Sequence, residues 1–355
     1  MNDAAKTEFP EKNAQHEVIG ETPVGEPAPP EVPRSLEPVE KVWGRTGDVI
    51  SALIFAAICF VVLFFTAADY GVTWDEAAPN FVAARNQAEW FSGLFTLEHP
   101  FSRETIDQYW ASPSKHPSLT RSLMALSLNS FGPWLKKMEQ RSPEGLLDSR
   151  FRYPNFAEVV ALRIPSMALT SLLMAVMYIW LARRINCVAA LGTIGTLITL
   201  PRVFADVHLA SLDVPMMVWW ALVVVAFYEG AERPLISRFH LLTGLLYGLA
   251  LSTKLHSFFL PIPLLVWAIV YRKKNTWRAF ASMAILGPLI YLLTQVYLWP
   301  DPWHRLLERF ISYGTKDVVA PVRVLYLGHI YVNQTPWHYP IIMALVTLPA
   351  VSLFF

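Results

Sequence analysis

Residues 49–68 read VISALIFAAICFVVLFFTAA, an uncharged and almost wholly apolar run. A helix rises 1.5 Å per residue, so a run of about 20 residues spans the roughly 30 Å hydrocarbon core of a bilayer. Lys41 and Arg45 stand just before it, and a mostly polar stretch of 69–156 follows. Working outward, further apolar runs fall at about 157–181, 188–200, 212–228, 241–252, 257–271, 279–298 and 338–355. The 188–200 run ends at Pro201, and the 241–252 run is short and glycine-rich. Interrupted helices of this kind are tolerated where they face protein or a watery cavity. The expectation is an all-α polytopic membrane protein of about eight transmembrane helices. Its large first extracytoplasmic loop carries interfacial helices, with 119–135 (LTRSLMALSLNSFGPWL) one of them.

Composition agrees. Of 355 residues 54% are hydrophobic and only 16% charged, against about 25% charged in soluble domains. A net charge of +1 gives no electrostatic case for nucleic acid. Two cysteines, Cys59 inside the first apolar run and Cys187 beside a basic loop, are too few for a disulfide framework. Residues 1–45 form a separate regime rich in Pro and Glu (Glu21, Pro23, Glu26, Pro27, Glu31, Pro33). Such a segment buries too little surface to offset its ordering entropy, and it reads as a disordered cytoplasmic tail. Residues 46–355 then form one transmembrane domain.

Basic residues concentrate in cytoplasmic loops. Counting spans puts Lys41/Arg45, Arg183/Arg184, Arg233/Arg238 and Arg272/Lys273/Lys274/Arg278 on one side, taken as the cytoplasm. The opposite side receives 69–156, the 201–211 turn, the 253–256 turn and 299–337. No internal repeat is visible, which weakens a transporter reading. Most tryptophans near span ends, Trp219, Trp267, Trp277, Trp299 and Trp303 among them, suit an interfacial belt before a sugar-stacking set.

Thr73-Trp74-Asp75-Glu76 follows the first span by a few residues. Spacing alone favours a bland role, with Asp75 as N-cap and Pro79 in the first turn. The alternative is a general base held at the membrane surface, where partial desolvation raises the carboxylate's proton affinity. The same side carries Lys115-His116-Pro117, Arg202, Asp206, His208, Asp213, Lys254 and His256. Ionisable groups at membrane depth are costly and are functional by default. Structural pairing, Asp213 with Arg202 for example, is the bland counterpart. Together these residues put a base and cations on one face. Transfer from a phosphate-bearing donor needs that combination.

These residues sit in motifs that resemble the protein O-mannosyltransferase-like glycosyltransferases of the C-type membrane superfamily. Trp74-Asp75-Glu76-Ala77 is similar to the family's Asp-Glu motif, and His116-Pro117-Ser118-Leu119 to its His-Pro-Pro-Leu, with Ser in place of the second Pro. Arg163-Ile164-Pro165, the set Pro201, Ala205, His208, Ala210 and Asp213-Val214-Pro215, and Gly248-Leu249-Ala250 with Thr253-Lys254 follow in order. Trp299-Pro300-Asp301-Pro302, Tyr326-Leu327-Gly328 and Pro336-Trp337-His338-Tyr339 complete the series. The resemblance covers about residues 45–355; relatives usually carry more spans, so the domain reads as truncated at its C-terminal end.

The resemblance implies an inverting hexosyltransferase that uses a dolichyl- or polyprenyl-phosphate sugar on the non-cytoplasmic face. It makes Asp75 the catalytic base, with Glu76 supporting it or contacting the acceptor. Lys254, Arg202 and Arg85 become candidates for the donor phosphate, and His116, His208 and Asp213 further substrate-binding positions. The implied acceptor is a hydroxyl on protein, lipid or glycan. No cofactor is required by this reading, and a divalent metal stays open. No P-loop, GxGxxG, HExxH or CxxC pattern is present. The implied location is multi-pass, in a bacterial inner membrane or, in a eukaryote, the endoplasmic reticulum. The rival reading is a lipid or solute transporter that uses the same charges as a relay.

Overall fold

The first long helix, α1 (Thr46–Thr66), carries the apolar run and ends in a 3-10 turn at Ala67–Asp69. The computed structural model describes residues 46–111, 116–141, 156–233, 237–314, 323–332 and 334–347. The expected tail at 1–45, Lys115 and the end of the last expected span lie outside the described residues.

The loop after α1 is largely helical: α2 (Phe81–Gly93), α3 (Arg103–Trp110) and α4 (Leu119–Arg141). Ser102 starts α3 by accepting a bond from the Thr105 backbone N–H at 3.2 Å. The stretch 119–135 is helical, as the first part of α4, where Thr120, Arg121, Met124 and Ala125 are buried. Next come α5 (Phe156–Arg184), α6 (Cys187–Thr199), the short α7 (Pro201–Asp206), α8 (Asp213–Ala231), α9 (Arg238–Thr253), α10 (Pro261–Val270), α11 (Trp277–Thr294) and α12 (Pro302–Gly314).

Four helical stretches among the described residues are long and apolar enough to cross a membrane: Thr46–Asp69, Phe156–Arg184, Asp213–Ala231 and Lys274–Thr294. Cys187–Thr199 and Leu255–Val270 are apolar but shorter. The eight expected spans therefore resolve into four full-length ones and shorter helices. At 13 residues, α6 reaches only about 20 Å.

Helices α1 and α5 run antiparallel and are tied at both ends. Arg183 Nε bonds Asp48 Oδ2 at 3.1 Å near the start of α1. Arg163 Nη1 bonds the Ala67 carbonyl at 2.8 Å just past its end. Arg163 and Arg183 are 183 − 163 = 20 residues apart, about 30 Å along α5. At the Arg183 pole, Arg184 and Arg233 both meet the buried Glu229 (2.7 and 3.6 Å), and Lys273 meets Glu232 at 2.7 Å. Among the described residues, Arg183, Arg184, Arg233 and Lys273, which the span count places on one side, thus gather at one end of the helices.

Helices α9 and α11 approach each other closely. A Cβ on Gly244 would lie 2.2 Å from Ser282 Oγ, and one on Gly248 would lie 2.5 Å from Ile290 Cβ. Small residues four apart allow such backbone contact between membrane helices. The main core unites Leu173 and Tyr178 of α5, Val218 and Phe227 of α8, Leu246 and Ala250 of α9, and Met283 of α11. Ile54, Ile58 and Phe65 of α1, Val266 and Ile269 of α10, and Ile285 and Leu293 of α11 stay exposed, as a lipid-facing surface requires.

The all-α expectation needs one amendment. Strands β1 (Arg323–Tyr326) and β2 (His329–Val332) pair antiparallel, Arg323 opposite Val332. Leu327 (φ 49°) and Gly328 (φ 82°) turn between them, the backbone hand that tight hairpins prefer. The leucine departs from the Asn-Gly signal, so the turn was not legible beforehand. A last described helix, α13 (Tyr339–Thr347), follows.

Candidate active site

Asp75 and Glu76 occupy opposite environments. Asp75 is exposed, and its carboxylate has no hydrogen bond or ion pair among the described residues. Its backbone is already helical (φ −66°, ψ −28°) and its side chain makes no cap bond. The capping role that spacing favoured is therefore not realised.

Glu76 opens a π-helical turn, Glu76–Asn80, and is fully buried. Its Oε1 accepts from Arg163 Nε (2.8 Å) and the Ala210 N–H (2.8 Å). Its Oε2 accepts from Arg163 Nη2 (2.9 Å), the Thr73 N–H (2.9 Å) and the Thr73 hydroxyl (3.2 Å). Arg163, 1% exposed, also donates to the Ala67, Tyr70 and Gly71 carbonyls, each at 2.8 Å. Every N–H of the guanidinium is used, which is how a buried charge is made tolerable. The pair fixes the backbone on both sides of Asp75. In this structure Glu76 has no face left for an acceptor.

Four residues on, Asn80 Nδ2 bonds the Ala210 carbonyl at 3.0 Å. The π-helical turn thus grips both ends of one residue, Ala210, in the turn before α8. Asn80 Oδ1 accepts from Arg121 Nε (3.2 Å), and Arg121 Nη1 reaches the His116 carbonyl (3.2 Å). This chain of bonds joins the Asp75 segment to the His-Pro loop. The loop is pinned from its far side, where Ser118 N donates to Gln295 Oε1 at 2.9 Å.

His116, Asp213 and Lys254, distant in sequence, come together. Lys254 Nζ meets Asp213 Oδ1 at 2.5 Å. His116 is partly buried, and its charged neighbours are Lys254, Arg121, His256 and Asp213. Burial first, then the cations, pull its pKa down to about 4, so the imidazole is neutral at pH 7. Arg202 is exposed and pairs loosely with Asp206 across one helical turn at 3.7 Å. Burial raises the Asp206 pKa, the Arg202 charge opposes the rise, and nearby Asp213 adds to it.

Two expected substrate-binding residues are engaged elsewhere. His208 is fully buried: Nε2 meets Thr66 Oγ1 at 2.7 Å, Nδ1 meets the Phe204 carbonyl at 2.5 Å, and Tyr70 stacks on the ring at 4.3 Å. It closes the joint between α1 and α7. Arg85 is held by Glu158 at the start of α5. Residue type gave no role to Arg163, which appears in the sequence only within a motif, or to Asn80 and Arg121. A cation inside an apolar run was the available signal for Arg163. Among the described residues no group of three His, Cys, Asp or Glu is arranged to hold a metal.

The fold defines a helical, multi-pass integral membrane protein. The model of the dolichyl-phosphate-mannose-protein mannosyltransferase family matches residues 104–310, more than half of the chain, and the protein belongs to that family. The matched stretch contains His116, Arg202, His208, Asp213 and Lys254, whereas Asp75, Glu76 and Arg85 precede it. No curated protein matches the chain. Among solved structures, ArnT from Cupriavidus metallidurans bound to undecaprenyl phosphate is 18% identical, over 72% of this chain and 42% of its own, with a TM-score of 0.48. Its apo state is 17% identical over 79% and 46%, with a TM-score of 0.49. The Saccharomyces cerevisiae Pmt1-Pmt2 complex bound to its sugar donor is 17% identical over 74% and 34%, with a TM-score of 0.36. The chain spans less than half the length of these structures.

Proposed function

We propose that the protein transfers a sugar from a polyprenyl-phosphate donor to a hydroxyl acceptor on the non-cytoplasmic face, with inversion. The exposed, unpartnered Asp75 carboxylate carries this reading. It sits on a turn held by a buried and fully bonded Glu76–Arg163 pair. Preorganised groups of this kind need no rearrangement when the reaction occurs. Membership of a family described by a dolichyl-phosphate-mannose donor supports the donor class.

In the proposed reaction Asp75 takes the proton of the acceptor hydroxyl, and the oxygen bonds to the anomeric carbon. The bond from that carbon to the phosphate oxygen breaks, and polyprenyl phosphate departs with the electron pair. Lys254 supplies positive charge to the departing phosphate, with Arg202 as the exposed second cation. His116 is uncharged at neutral pH and donates or accepts a hydrogen bond beside them. Glu76 acts on position rather than on substrate.

The test is to incubate detergent-purified protein with a panel of polyprenyl-phosphate hexoses and to measure sugar release. We expect consumption of one donor and formation of polyprenyl phosphate. No turnover of any donor, in the presence of protein, lipid and glycan acceptors, would overturn the reading. The face is tested separately. A reporter inserted near Gln140 should read external, and one fused after Arg278 should read cytoplasmic.

A further inference from the structure

Three segments distant in sequence converge on one side chain, Gln295, just past the end of α11. It is fully buried. Its Oε1 accepts from the Ser118 backbone N–H at 2.9 Å and lies 3.1 Å from the Ser118 hydroxyl. A backbone N–H can be met only by an acceptor, so this contact fixes which end of the amide faces the loop. The other end, Nε2, lies 3.4 Å from Thr294 Oγ1 and 3.5 Å from the Ser252 carbonyl of α9. Thr294 Oγ1 strengthens the link, meeting Ser252 Oγ at 2.7 Å.

Two of the joined segments each carry a candidate for the donor phosphate. His116 lies two residues before Ser118, and its carbonyl is held from the other side by Arg121 Nη1 at 3.2 Å. Lys254 lies two residues after Ser252, where the backbone leaves the helix and turns extended (φ −151°, ψ 129°). The place of the ammonium is therefore set by where α9 ends. Gln295 joins the two without adding a charge beside them, and it has no exposed surface to offer a ligand. Position 118 is also where the resembled motif carries a second proline. Proline has no N–H to donate, so the serine supplies the donor that this bond requires.

We propose that Gln295 is a positioning residue, which through Ser118 and Ser252 holds the His116 loop against the end of α9 so that His116 and Lys254 face the donor phosphate together. This rests on the assignment of His116 and Lys254 to that phosphate. Loss of the amide strands the buried Ser118 N–H, and the loop shifts to satisfy it.

The test measures the affinity of full-length protein in detergent for a polyprenyl phosphate and for the corresponding polyprenol, and reads their ratio. A general loosening of the fold weakens both ligands alike, whereas a displaced His116 or Lys254 weakens only the phosphate. Gln295→Met keeps the length of the side chain without its amide. A net hydrogen bond converts to about five-fold, so we expect the preference for the phosphate to fall by at least that factor. Ser118→Pro deletes the same N–H from the other partner and should give a similar loss. In a Lys254→Ala background, Gln295→Met should change the ratio by less than about two-fold, because coupled sites do not add. A wild-type ratio in either single variant would overturn the positioning role and leave the phosphate site standing. A full loss on top of Lys254→Ala would overturn it as well. Equal binding of phosphate and alcohol by the wild-type protein would overturn the phosphate site itself, and the role of Gln295 with it.

Discussion

Arg163 meets Glu76 side-on, Nε to Oε1 at 2.8 Å and Nη2 to Oε2 at 2.9 Å, with the two side chains 1% and 0% exposed. The remaining donors of Arg163 go to three carbonyls between Ala67 and Gly71. One buried ion pair therefore shapes the chain that leaves α1 and delivers Asp75 to an exposed position.

Breaking that pair from one side strands a buried charge, at a typical cost of about 3–5 kcal/mol. Glu76→Gln and Arg163→Met should each lower the melting temperature markedly. The double substitution should cost less than the sum of the two. A double-mutant cycle in detergent measures this, and strict additivity would show that the pair is not coupled.

Asp75→Asn removes the proton acceptor but keeps the size of the side chain. General-base catalysis is worth about 10²- to 10⁴-fold, so transfer should drop by at least about two orders of magnitude. The melting temperature should hold, because the side chain makes no cap bond to lose. Near-normal transfer together with normal melting would falsify the assignment of Asp75 as base.

Lys254 and Asp213 form a partly exposed pair, with side chains 20% and 64% exposed. Pairs this accessible contribute about 0–1 kcal/mol. Lys254→Ala should therefore melt close to wild type while binding a polyprenyl-phosphate donor at least several-fold more weakly. Titration of purified variant with donor decides the point, and unchanged affinity would remove Lys254 from the phosphate site.

His116 is held neutral, its pKa moved from an ordinary 6.5 to about 4. The unfolded chain binds the proton first as pH falls, so between about 6.5 and about 4 the unfolded state holds more protons than the folded one. Stability is therefore lost as pH is lowered from about 6.5 to about 4. His116→Gln does not titrate and should flatten this part of the curve of melting temperature against pH. Superimposable curves for variant and wild type would show that His116 does not contribute.

Much of the fold was legible because membrane helices announce themselves by apolar length. The runs around 49–68, 157–181, 212–228 and 279–298 correspond to the four full-length helices. Runs such as 188–200 and 257–271 were harder to read. Hydropathy measures composition, whereas whether a short apolar helix crosses depends on the helices packed around it. In the site, residue type alone does not separate Asp75 from Glu76; the family resemblance makes Asp75 the base and Glu76 its support or an acceptor contact. What separates them is Arg163, 87 residues away, together with the Ala210 N–H, 134 residues away. No local pattern encodes a bond to a backbone amide in another turn. His208 illustrates the same limit, since its partners Thr66 and Tyr70 lie on the far side of the first loop.

The double tie between α1 and α5 makes the two helices a caliper of fixed opening. With Asp48 held at one jaw and the Ala67 carbonyl at the other, neither helix can slide along its partner without losing a charged bond. A thinner bilayer can then be met by tilting the two as a single rod, at a fraction of a kcal/mol per Å of mismatch. Tilt moves the Asp75 turn relative to the headgroups. The Asp75 turn, tied to the same rod through Arg163, then tilts with it rather than on its own.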